Sequence, residues 1–357
     1  MTEPPSGDRA EVAARIRAEA PGYATYGSAL YGTLAARVAE DIDAGGASWD
    51  VLRGLKPTRE PTYVALHLFG AVHRLVLEGS APDVARHLPS SGGDGDAEAA
   101  WLATRDLLAD RTDEVRTYAE RPVQTNEPGR AAALMGGFLL VARRTGLPLR
   151  LLEVGASAGL NLRWDHFRYE AGDAGWGDPG SPLRILNAFE GPTPPLEVVP
   201  TVAERSGCDA NPVDPATEDG RLTLMSYVWP DQITRFEQLK AAIEVARAVP
   251  ATLVRADAVD WLGDVLAEPA PRVATVVYHS VFLPYLSPAK LKDLLAVMTA
   301  AAARATLEAP FAELSLEPED PDAIPPTFEV RLEMWPGGGS QRIALAAPHG
   351  PPVRWLA

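Results

Sequence analysis

Leu151-Leu-Glu-Val-Gly-Ala-Ser-Ala-Gly-Leu-Asn-Leu162 is the stretch on which the fold turns. An apolar strand runs into Glu153. Gly155, Ser157 and Gly159 then alternate with other small residues, and a helical pattern comes next. Small residues at every second place let the backbone turn tightly and let a ligand lie against it. The start of the next helix offers N–H groups with no partner in the helix. The spacing is not the dinucleotide-binding fingerprint. That pattern needs glycine at the first, third and sixth places, which here are Gly155, Ser157 and Leu160.

Working outward, everything upstream reads as helix. Tyr26, Leu30, Leu34, Val38 and Ile42 form a four-residue stripe that Gly45-Gly46 stops. Further helices are expected over 62–78, after Asp96, and from Pro128 to Arg144. Downstream, short apolar runs alternate with helical patterns. Strands are expected at Leu149–Val154, 198–204, 251–255, 273–279, 311–316, Phe328–Trp335 and 342–347, with the last two joined as a hairpin at the sheet edge. That alternation implies an α/β fold with a parallel sheet. The domain reading is therefore a helical N-terminal domain over 1–146 and a Rossmann-like domain over 147–357. An insertion at about 163–197, rich in Gly and Pro, forms a hairpin or lid.

The glycine loop carries two enzymatic readings. Its acidic-x-Gly-x-Ser-x-Gly form resembles the first motif of the class I S-adenosylmethionine (SAM) methyltransferases, with Ser157 at a glycine position. The same residues also fit a Gly-x-Ser-x-Gly nucleophile elbow with Ser157 as a hydrolase nucleophile, and Asp257 or Asp260 with His349 would complete a triad in the right order. A plain tight turn is the third reading. Two features favour the methyltransferase: the long helical stretch before the loop, and the absence of a His-Gly-Gly run. The downstream strands and helices resemble its seven-stranded sheet, with the usual helix before the terminal hairpin shortened to a Pro-rich loop at 317–326.

The resemblance implies site residues one by one. Glu153, Gly155, Ser157 and Gly159 would cradle the cofactor. Asp209 and Asn211, in Ser206-Gly-Cys-Asp-Ala-Asn-Pro212, close the second strand, where an acid holds ribose hydroxyls. Asp209 lies fifty positions past Gly159, which the insertion must account for. Asp257 and Ala258 close the third strand, where an acid reads the adenine amino group. A turn residue and a helix N-cap are the plainer roles for Asp209 and Asp257. His279, at the end of the fourth strand, is the candidate general base, with Ser280 and Tyr285 beside the methyl acceptor. Asn126 and Glu127 before the Pro128 helix, and Trp229 and Asp231 in Trp229-Pro-Asp-Gln232, are the remaining substrate candidates.

Composition limits the partners. With 33 Lys+Arg against 48 Asp+Glu, the net charge of −15 repels nucleic-acid backbones. Cys208 is the only cysteine, so an internal disulfide and a cysteine metal cage are excluded. No metal site is legible: His67 and His73 are six apart, and the acidic run at 317–322 reads as a solvated loop, with a weak cation site as its alternative. The start has no leader pattern and no run is long enough to cross a membrane, so a cytoplasmic protein is expected. A helical domain of this size can close over a crevice or build a homodimer.

The segments Val123-Gln-Thr-Asn-Glu-Pro-Gly-Arg130, Leu152 to Leu162, Tyr227-Val-Trp-Pro-Asp-Gln232 and His279-Ser280 resemble an uncharacterised bacterial family, domain of unknown function 2332. That family implies no activity. The function expected from the site is a SAM-dependent methyltransferase with a small-molecule acceptor. The alternatives are a serine hydrolase using Ser157 and a non-catalytic protein that binds an adenosyl ligand.

Overall fold

The computed structural model describes residues 8–55, 64–320 and 326–357. They divide into two units. The first is helical: α1 (Arg9–Thr25), α2 (Ala29–Asp43), α3 (Ala47–Leu52), α4 (Val64–Leu77), α5 (Pro82–Ala85), α6 (Ala97–Asp110) and α7 (Thr112–Ala119). The Leu30–Ile42 stripe faces its core, and Asp96 caps α6 through the N–H groups of Glu98 and Ala99. The start expected for the 62–78 helix lies outside the described residues, and α4 is buried all round.

The domain boundary falls differently from the expected 146/147. Residues 126–146 belong with the sheet, while 217–237 return to the helical unit. Packing explains both halves of the exchange. The second unit opens with α8 (Arg130–Thr145), whose residues from Ala131 to Ala142 are all buried; the helix lies on the sheet, with Gly137 against Leu314 and Gly136 against Trp355. In the returning segment, the Tyr227 ring fits against Gly70 of α4, and Arg74 holds Asp219 at 2.8 Å.

The sheet begins with β1 (Leu149–Val154). The expected hairpin in the insertion is β2 (Arg168–Ala171) with β3 (Ala174–Trp176), and β4 (Arg184–Ile185) adds to it in parallel. Stacked rings tie this small sheet down: Trp176 on Trp164 at 5.2 Å, and Trp164 on Phe138 of α8 at 4.7 Å. The chain then runs through β5 (Val202–Asp209), α9 (Glu218–Ser226), which lies in the helical unit, α10 (Ile233–Ala248), β6 (Thr252–Arg255), α11 (Ala258–Val265), β7 (Ala274–Ser280), α12 (Pro288–Ala303), β8 (Phe311–Pro318), β9 (Phe328–Trp335), β10 (Gln341–Ala347) and β11 (Gly350–Trp355).

Eight strands form the main sheet, in the order β11-β10-β9-β8-β7-β1-β5-β6. The five from β8 to β6 are parallel, and β9, β10 and β11 continue as an antiparallel meander. The expected seven strands ending in an edge hairpin are thus corrected: β10 is not the edge, because Gly350-Pro-Pro-Val-Arg-Trp355 pairs outside it. Side chains alternate across the sheet. Leu152, Val154 and Val277 share an apolar cluster with Leu294 and Met298 of α12, whereas Leu314 and Tyr278 meet α8. Cross-strand partners Glu153 and Tyr278 share the α8 face.

Candidate functional site

β1 lies between β5 and β7, so strand order reverses there, and a parallel sheet holds its ligands at the carboxyl ends beside such a reversal. The loop after β1 follows the expected spacing for a conformational reason: Gly155 (φ +69°), Ser157 (φ +52°) and Gly159 (φ +64°) are all left-handed. A side chain at Gly159 would also meet Leu253 at 2.8 Å.

The loop's N–H groups are engaged one after another. Ala156 donates to Cys208 O (3.0 Å), Ser157 to Asp209 Oδ2 (2.9 Å), and Gly159 to Ala156 O (2.6 Å). Ala158 and Leu160 both donate to Asn126 Oδ1, at 3.2 and 2.9 Å. The other Asp209 oxygen accepts the Asn211 N–H at 2.8 Å, and Asn211 Oδ1 in turn accepts from Arg255 at 3.1 Å. Asp209 and Asn126, read in the sequence as ligand contacts, are thus the side chains that hold the glycine loop in shape. A carboxylate has about four acceptor positions, so Asp209 keeps capacity for further donors.

Glu153 ends β1 with only 2% of its surface exposed. Burial pushes its carboxyl up to about 8, against the pull of Tyr278 and Arg163. Its Oε2, the Tyr278 hydroxyl and Asn161 Oδ1 are buried without a well-aligned hydrogen-bond partner among the described residues. Arg163 spans the loop, donating to Gly159 O (2.6 Å) and Val249 O (3.0 Å). Glu127 is buried at the start of α8, and its carbonyl accepts from Asn161 Nδ2 at 3.3 Å. Arg130 bridges Ser280 O (3.2 Å) and Pro348 O (3.0 Å).

On the opposite face, Asp257 caps α11 through the Val259 N–H (3.0 Å) and pairs with Lys290 (3.0 Å). Burial works against its charge, but Lys290 and the N–H groups of Val259 and Asp260 hold the carboxyl below its ordinary value. Ala258 is the first residue of that helix, and Tyr285 closes a 3-10 turn over Leu283–Tyr285.

His279 is 1% exposed. Its Nδ1 lies 2.6 Å from Glu317 Oε1, and its Nε2 lies 3.9 Å from Glu313. Burial alone would lower its value, but the two carboxylates outweigh that and bring it up to about 9. Near neutral pH the imidazole therefore holds its proton. Glu317, expected in a solvated acidic loop, is buried at the end of β8; Asp322 lies outside the described residues.

Trp229 and Asp231 have their described partners in the helical unit. Trp229 packs at 5.0 Å from the Tyr23 ring. Asp231 accepts from Ser28 Oγ (2.6 Å) and Leu30 N (3.2 Å) at the start of α2. His67 bonds Ala119 O and His73 bonds Ser226 O, and no group of three or more metal-ligating side chains gathers among the described residues.

A family profile described as "Uncharacterized protein conserved in bacteria (DUF2332)" matches residues 13–355. The chain belongs to this family. No curated protein and no solved structure matches it significantly. Among the described residues of this DUF2332 protein, no helix is long and apolar enough to cross a membrane. Sequence reasoning missed Glu317, Tyr278 and Arg163. For Glu317 there was a signal: it lies on the strand that pairs with the His279 strand, two places beyond the His279 partner Ser315.

Proposed function

We propose that this DUF2332 protein binds S-adenosylmethionine at the carboxyl ends of β1, β5 and β6 and transfers its methyl group to a small-molecule acceptor. The observation that carries this reading is the engaged glycine loop. Every N–H from Ala156 to Leu160 already has an acceptor in the chain, so the loop is poorly suited to a phosphate. The neighbouring strand ends offer carboxylates instead, at Asp209 and Asp257. Such a lining suits a cationic, phosphate-free nucleoside with hydroxyl and amino donors. Asp209 would take the ribose hydroxyls, Asp257 and Ala258 would flank the base, and Gly155 and Gly159 would let the ligand approach the backbone. The cofactor supplies an activated methyl group, and the protein's task is then positioning.

The engaged loop also weighs against the hydrolase. An elbow serine needs the N–H of the following residue for its oxyanion hole, and the Ala158 N–H is bonded to Asn126. Ser157 is itself only 5% exposed. One observation favours the non-catalytic binding reading: His279, the candidate base, is buried and holds its proton between two carboxylates. In the methyltransferase reading His279 therefore acts through the turn beside it; the methyl bond passes from sulfur to the acceptor, S-adenosylhomocysteine leaves neutral, and the acceptor's proton passes to solvent water.

Calorimetric titration tests the proposal. S-adenosylmethionine and S-adenosylhomocysteine are expected to bind in the micromolar range, about −8 kcal/mol, while ATP and NAD do not. No heat and no thermal shift at millimolar concentrations of either adenosyl ligand rejects it. Binding without turnover on any acceptor selects the sensor reading.

A further inference from the structure

The residues after β7 are built against their own preferences. Val281, a β-branched residue, has φ of +53°, a left-handed backbone that such residues rarely adopt. It is held from both sides. Its N–H donates to Leu316 O at 2.8 Å. Beyond it, the N–H groups of Phe282 and Leu283 both donate to Glu317 Oε1, at 2.9 and 3.4 Å. The same oxygen bonds His279, while Glu317 Oε2 is buried without a partner among the described residues. One carboxylate oxygen thus gathers His279 and both N–H groups that follow Val281.

That attachment sets the Phe282 ring on the glycine loop. A Cβ at Gly155 would lie 2.5 Å from Phe282 Cδ2, so the ring covers the carboxyl end of β1 where strand order reverses. Cys208, 1% exposed, belongs to the apolar cluster that Phe282 packs against and has the Gly155 N–H on its sulfur.

We propose that Phe282 is a gate over the end of β1 and that Glu317 is its latch. In the closed position the ring occupies the approach to Gly155. Losing the Glu317 contacts frees the turn to relax at Val281 and swing the ring away. The gate stands on these contacts alone; that the ligand it admits carries an adenosyl group rests on the function proposed above.

Cys208, the only cysteine, is a built-in reporter. The full-length protein is treated with methyl methanethiosulfonate under native conditions at one pH, and labelling of Cys208 is followed by mass. Phe282→Ala is expected to label at least tenfold faster than wild type, and Glu317→Ala, which removes the acceptor, several-fold faster. Phe282→Leu, which keeps the latch and most of the apolar volume, guards against misfolding and should fall between. Trp355→Leu, remote on β11, sets the rate due to lowered stability alone. If the Phe282 and Glu317 variants label no faster than a remote variant of equal melting temperature, the gate is rejected. S-adenosylhomocysteine should slow labelling of wild type. Absence of that protection, with the variant accelerations intact, rejects the adenosyl ligand and leaves the gate standing.

Discussion

Asn126 and Leu160 are joined by a hydrogen bond of 2.9 Å that closes the start of the 3-10 helix over Leu160–His166, and the same Asn126 oxygen takes the Ala158 N–H. A side chain from just before α8 thereby holds the loop after β1. Asn126→Ala leaves two loop donors without their acceptor and should cost about 1–3 kcal/mol of stability. Asn126→Asp keeps the acceptor and should cost less. Urea unfolding of the two variants checks this; equal losses would mean that the bonds to Asn126 add little.

Ser157 has the backbone of a glycine. At φ +52° a Cβ is disfavoured, so Ser157→Gly should be more stable than Ser157→Ala by about 1 kcal/mol, since both lose the hydroxyl and only one keeps the strain. Both should still bind S-adenosylhomocysteine, and a fluorophosphonate probe should leave wild-type Ser157 unlabelled. Stoichiometric labelling there would restore the hydrolase.

Asp209 has two duties that one substitution can separate. Asp209→Asn keeps an oxygen for the Ser157 N–H but loses the charge. Because its amide nitrogen can no longer accept the Asn211 N–H, it should lose about 1–3 kcal/mol of stability, less than Asp209→Ala, while S-adenosylhomocysteine affinity falls by roughly 1.5–3 kcal/mol. Asp209→Ala should lose both. Calorimetry and thermal melts on the pair distinguish a ribose ligand from a purely structural cap: unchanged affinity in Asp209→Asn assigns the residue to the loop alone.

The strands that dictate the fold were legible because their apolar runs are long. β1 and β9 lie where the sequence puts them, and β6, β7, β8 and β10 within a residue or two. β5 lies further along than expected, at Val202–Asp209 rather than 198–204, because Ser206-Gly-Cys-Asp209, expected at the strand's close, is small and polar and is drawn into the sheet by pairing with β1 and β6. β11 was hidden by Pro351 and Pro352, which an edge strand tolerates. At the site, the strand-end acids were found, but their partners were not. Spacing along a chain does not reveal that Glu317 crosses to His279, or that Asn126 reaches Leu160.

Two buried groups give the protein a pH dependence of one sign. Glu153 rises from 4.5 to about 8, so the stability of its neutral form is complete below pH 4.5 and is lost as pH climbs through 8. His279 rises from 6.5 to about 9, so its charged form contributes fully below pH 6.5 and is lost through 9. Stability should therefore fall from about pH 6.5 to 9; below that, buried His73, whose value burial lowers to about 4, works against Glu153. Glu153→Gln, which mimics the neutral carboxyl, should flatten the slope and exceed wild type at pH 9 by about 1 kcal/mol or more. A wild-type stability that rises over this range, measured by denaturant unfolding, contradicts the assignment.

The packing of α8 sets intrinsic helix preference against space. Gly136 lies mid-helix, where alanine is better by about 1 kcal/mol. Yet a Cβ there would lie 2.3 Å from the Trp355 ring of β11, and overpacking of that kind costs about 1–3 kcal/mol. Gly136→Ala should therefore destabilise, by less than the clash alone. Trp355→Leu removes the ring, and in that background the same substitution should become neutral or favourable. The double-mutant cycle isolates the contact. If Gly136→Ala costs as much in the Trp355→Leu background as in wild type, the β11 ring does not pack on α8, and the eighth strand is misassigned.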